Sequence, residues 1–123
     1  MKIYILVACD HLEEEQESHL KKALPDLRKA LEHYAEDSKA FNVKLINNCD
    51  SEFCEDWQLG IAQTVKNSKQ LAFPINLFNE LAKQFKIDCE IGFIRKEGRE
   101  AVSYFGSVEG KGDADMIAQY LNL

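Results

Sequence analysis

The chain has 123 residues, a length that suits one domain (1–123) with a core large enough to need no metal or disulfide staple. Hydrophobic residues are 46% and charged residues 29%, as in an ordinary globular protein. A net charge of −6 argues against nucleic acid and anionic lipid as partners and would favour a basic protein.

Ile3 to Cys9 is a short apolar run rich in β-branched residues, followed at once by Asp10, and it predicts a buried first strand. Leu6-Val7-Ala8-Cys9 also matches the box at which bacterial lipoproteins are acylated. A signal segment, however, needs an apolar stretch of about 7–15 residues before its cleavage site. Ile3 to Ala8 would have to supply both. The strand reading prevails, so the expected compartment is the cytoplasm and the expected state of Cys9, Cys49, Cys54 and Cys89 is the free thiol. No stretch approaches the ~18 apolar residues of a membrane span, so no membrane partner is expected.

A long helical region follows, from about Leu12 to Phe41, with Asp10 as its candidate cap. Leu20, Leu24, Leu27, Leu31, Tyr34 and Phe41 recur at spacings of three and four, with Ser38 interrupting, and make one apolar stripe. Pro25 interrupts it, which predicts a kink or two helices, the second starting at Pro25-Asp26. Val43 to Cys49 reads as a second strand. Trp57, Leu59, Ile61 and Val65 share one face of a third, broken only by Gln63, and Asn67-Ser68-Lys69 ends it. Pro74 is the expected start of the next helix, with Ile75, Phe78, Leu81, Ala82 and Phe85 inward. Cys89, Ile91 and Phe93 alternate with Glu90 and Gly92 in a fourth strand. Glu97-Gly98 turns the chain into a fifth, Ala101 to Phe105. Asp113 should cap a last helix with Met116, Ile117, Tyr120 and Leu121 inward.

The order β-α-β-β-α-β-β-α implies an α+β fold. Its first six elements fit a ferredoxin-like β-α-β-β-α-β core, extended by a fifth strand and a C-terminal helix. The expected sheet is mixed, mainly antiparallel, with helices on one face and the other face partly open to a ligand, a partner or a second copy.

Three constellations invite a chemical reading. Cys9-Asp10-His11 with Cys49-Asp50 and Cys54 brings thiols, an imidazole and carboxylates to strand ends, as zinc or an activated thiol would require. The spacing matches no closed zinc pattern, and two half-buried small residues beside a solvated acidic loop are the preferred reading. Gly106-Ser107-Val108-Glu109-Gly110-Lys111-Gly112 resembles a phosphate loop, but it is one residue short and Gly112 stands where the magnesium-binding hydroxyl belongs. Asp50, Glu52, Glu55 and Asp56, interleaved with Phe53 and Trp57, make an acidic, aromatic hairpin, the candidate docking site for a basic protein. Its plainer reading is a solvated connection with Trp57 buried at the start of its strand. His19 and His33 fall among charged helix residues and are expected to be exposed and without a role.

No catalytic set, cofactor or metal is assigned. The favoured expectation is a non-enzymatic binding or regulatory module, of an inhibitor or immunity type, that engages a basic protein. One alternative is a metal- or thiol-dependent enzyme using Cys9, His11, Cys49 and Cys54. The other is a structural homo-oligomer such as a homodimer, joined through strand edges or the open face.

Overall fold

Ile3, Ile5 and Val7 alternate with Tyr4 and Leu6, and this period of two sets the middle of the fold. In the computed structural model, which describes residues 1–123, they belong to β1 (Lys2–Val7), the central strand of a five-stranded sheet. The others are β2 (Lys44–Asn48), β3 (Gln58–Thr64), β4 (Asp88–Arg95) and β5 (Gly98–Gly106). Their order is β2-β3-β1-β4-β5, and every neighbouring pair runs antiparallel. A mixed sheet was expected. It does not arise because β3 lies between β1 and β2, and β1 between β3 and β4, so strands that point the same way are never neighbours.

Three helices accompany the sheet: α1 (Glu14–Asp37), α2 (Ser68–Phe85) and α3 (Ala114–Leu121). Ile5 stands between Ile61 on β3 and Ile91 on β4. That face receives Leu27 and Leu31 from α1, Leu71, Ile75 and Phe78 from α2, and Ile117 and Leu121 from α3, all in one core. No helix is long and apolar enough to cross a membrane.

The helices depart from expectation in four places. α1 runs from Glu14 to Asp37 through Pro25 without dividing in two. An interior proline costs about 3 kcal/mol. Burial of Leu20, Leu27 and Leu31 along one stripe, at about 1.5–3 kcal/mol for each, outweighs it. The helix is capped not at Asp10 but at Glu13, whose N–H donates to Gln16 Oε1 at 2.9 Å. His11 holds φ 58°, in the left-handed region, so the chain turns there before helix can begin. α2 starts at Ser68, well before Pro74, because Asn67 Oδ1 accepts the Gln70 N–H at 3.0 Å and the frame places Leu71 in the core. Finally, Met116 and Tyr120 on α3 are 52% and 53% exposed, while Ile117 and Leu121 point inward as expected.

Candidate functional site: a cleft on the uncovered sheet face

Tyr4 and Ala62 pair across β1 and β3 on the face that no helix covers, outside the core. Two glycines shape this face. A Cβ on Gly60 would run into the Ile5 carbonyl oxygen, and one on Gly92 into the Glu100 carbonyl oxygen. The register shifts between Ile91 and Gly92, the mark of a β-bulge that re-aims β5 relative to β4.

Where β1 ends, a cleft of about 750 Å³ opens. Leu6, Val7, Ala8, Cys9, Leu12, Trp57 and Val108 are among the apolar residues that line it. Five carboxylates line it: Asp10, Glu55, Asp88, Glu90 and Glu109. Arg99 from β5 is its lysine-or-arginine contribution, and His11 its one imidazole. The structure's salt bridges are Lys21–Glu17, Lys39–Glu36 and Arg95–Glu100, so none of the five cleft carboxylates is ion-paired.

Glu90 is the hub of the inner end. The Tyr4 hydroxyl donates to Glu90 Oε2 at 2.7 Å, and the Tyr104 hydroxyl donates to Oε1 at 3.3 Å. Burial, then the hydrogen bond to Glu90 and the Glu90 charge, push the Tyr4 phenol well above its ordinary value. At exposed Tyr104 the Glu90 charge is the leading cause of a shift in the same direction. Both phenols therefore stay protonated donors. The Arg99 guanidinium lies 5.5 Å from the centre of the Tyr4 ring, and its Nη1 donates to Gln58 Oε1 at 3.1 Å.

The acidic hairpin lies at the mouth of this cleft. Glu55 and Trp57 line it, and Phe53 and Glu55 border an adjoining pocket of about 200 Å³ together with Cys9 and His11. Trp57 is buried, and its Nε1 donates to the Ser51 carbonyl at 2.7 Å. Asp56 Oδ2 accepts from the Ser51 hydroxyl at 3.1 Å, which also accepts the Phe53 N–H. Asp50 and Glu52 are exposed, and Phe53 is 57% exposed. Glu90, Arg99, Tyr104 and Tyr4 were missed from sequence because they come from three strands that only the pairing brings together. The alternation of Glu90 with core-facing Cys89 and Ile91 was the available signal.

All four cysteines are free and buried. Burial above all, with Cys54 and Cys49 nearby, pushes the Cys9 thiol up to about 12, and burial likewise raises Cys49, Cys54 and Cys89. A nucleophilic cysteine needs the opposite shift. Nor is any group of three or more His, Cys, Asp and Glu side chains placed to hold a metal ion.

The glycine-rich segment is tied down from within. Asp88 Oδ1 accepts the N–H groups of Val108 and Glu109 at 2.9 and 3.1 Å, so a carboxylate holds the donors a phosphate would need. Asp113 accepts the Asp115 and Met116 N–H groups and caps α3. His19 is not idle: its Nε2 bonds the Phe85 carbonyl at 2.9 Å, at the end of α2 where carbonyls lack helical partners. No protein-family model, no curated protein and no solved structure matches this chain.

Proposed function

We propose that this chain is a non-enzymatic binding module, of an inhibitor or immunity type, that engages a basic protein through the acidic hairpin and the cleft beside it. The observation that carries this reading is the set of five cleft carboxylates without a salt bridge, continuous through Glu55 with the exposed hairpin acids. Carboxylates without ion pairs beside apolar lining residues, with Phe53 and Tyr104 exposed, attract a cationic surface and then reward close contact. The fold is read with it as a ferredoxin-like core. The order β2-β3-β1-β4 supports this, since each β-α-β unit straddles one inserted strand, with β5 added at the edge.

The test uses Trp57, the single tryptophan, as reporter. Poly-L-lysine is titrated into the chain at low and at high salt. Binding that changes Trp57 fluorescence, weakens with salt and falls with Glu55→Lys but not with Glu36→Lys supports the reading, because both variants change net charge equally. No binding at low salt, or equal loss in both variants, overturns it.

A further inference from the structure

The one arginine in the cleft shows what the cleft accepts. Arg99 reaches from β5 over β4 and β1 to Gln58 on β3 and places its guanidinium against the Tyr4 ring. Tyr4 is only 1% exposed although its face has no helix over it. Arg99 makes no salt bridge, and its side-chain hydrogen bond goes to a neutral amide. With the guanidinium itself open to solvent, a cation–π contact of this kind is a weak hold. So the guanidinium position is shaped and aromatic, yet its resident is held weakly. The carboxylates around it carry no ion pair, although Glu90 and Asp88 already accept hydrogen bonds.

We propose that the cleft receives an extended basic segment of a partner protein, one arginine of which takes the place of Arg99 over the Tyr4 ring. This occupant presupposes the binding module described above, but it fixes the residue, the position and the displaced side chain. Arginine suits the site better than lysine because a planar guanidinium stacks on the Tyr4 ring, where that of Arg99 already lies. A segment suits it better than a small cation because the acids are spread. Asp10 precedes α1, Glu55 lies in the hairpin, Glu90 is on β4 and Glu109 follows β5. Several cations along one chain are needed to meet them.

Displacement leaves a signature that simple charge attraction does not. Removing Arg99 frees the site, so an incoming arginine no longer competes with a resident, and apparent affinity rises by about three- to tenfold. Arg95 is the control. It carries the same charge but lies over Phe93 and pairs with Glu100, away from the cleft. The experiment titrates tetra-arginine, tetra-lysine and arginine amide into the wild-type chain and into Arg99→Gln, Arg95→Gln and Glu90→Gln. Affinity is read from Trp57 fluorescence and the location of binding from amide chemical shifts. Glu90→Gln keeps an oxygen for the Tyr4 hydroxyl, and an unchanged spectrum away from the cleft shows that it folds.

The expected result is tetra-arginine binding tighter than tetra-lysine, with Arg99→Gln tighter than Arg95→Gln and Glu90→Gln about tenfold weaker. Shifts should centre on Glu90 and Tyr104. Equal affinities for Arg99→Gln and Arg95→Gln, or shifts confined to residues 50–56, overturn the displaced-arginine site while leaving the binding module standing. Arginine amide binding as tightly as tetra-arginine overturns the segment as occupant. Absence of binding by every peptide overturns both.

Discussion

The Tyr34 hydroxyl on α1 donates to Gln63 Oε1 on β3 at 2.6 Å, while the Nε2 of the same buried amide has no partner. Gln63 is the polar interruption in the inward face of β3, and at 1% exposure it is the one polar side chain in the buried set. The bond is thus half of a satisfied network. Tyr34→Phe is expected to cost about 1–2 kcal/mol, because it leaves the amide oxygen unpaired as well. Adding Gln63→Met, close in length but apolar, should recover most of that loss or exceed it. Urea denaturation of the two single variants and the double measures the coupling. Additive losses would show that the amide is satisfied by other means.

Gly60 permits the close approach of β3 to β1. Because its Cβ would meet the backbone oxygen of Ile5 and not a movable side chain, relief requires the two central strands to part. Gly60→Ala should destabilise by about 3 kcal/mol or more, at the upper end for overpacking. Thermal unfolding against wild type checks this. A shift in midpoint of only a degree or two would mean that the sheet yields there easily.

Much of this architecture is legible in the sequence. Ile3, Ile5 and Val7 announce a strand by their period, and Asp113 announces α3 by its cap. The start of α2 was misread because Asn67-Ser68-Lys69 resembles a turn, although a better signal was present. Asn67 and Gln70 stand three apart, and while Asn67 accepts the Gln70 N–H, Gln70 Oε1 accepts the Lys66 N–H at 2.8 Å, a reciprocal cap. Met116 and Tyr120 were placed inward because α3 is short, and in two turns the apolar stripe is ambiguous by one residue on either side. The candidate site was legible only at its rim. Glu55 and Trp57 are adjacent to the hairpin acids in sequence, whereas Arg99 meets Gln58 across two intervening strands, and no local pattern encodes that.

Lys86 closes α2 at φ 55° and ψ 51°, a left-handed conformation that glycine adopts freely. Its side chain is exposed, so little packing is lost by removing it. Lys86→Gly should stabilise the fold by about 1 kcal/mol, reduced somewhat by loss of a cation near the helix C-terminus. Denaturant midpoints at constant slope measure it. Destabilisation would show that the ammonium matters more to α2 than the backbone strain does.

Alkaline stability follows from the buried thiols. In the unfolded chain a cysteine ionises near the reference value of 9.0, whereas burial holds Cys9 protonated up to about 12 in the fold. Between these values the unfolded chain gives up a proton that the folded chain keeps, so stability falls as pH rises from about 9 towards about 12. Below 9 the contribution is fully present. Cys9→Ala removes this source of pH dependence without leaving a large cavity. Between pH ~8 and pH ~10 the variant should lose about 1 kcal/mol less stability than wild type, since a fully developed shift is worth about 1.4 kcal/mol per pH unit. Urea denaturation at the two pH values, with thiols kept reduced, provides the comparison. Parallel losses in the two proteins would mean that Cys9 ionises as readily in the fold as in the unfolded chain, and its burial beside Cys54 and Cys49 would have to be looser than the structure shows.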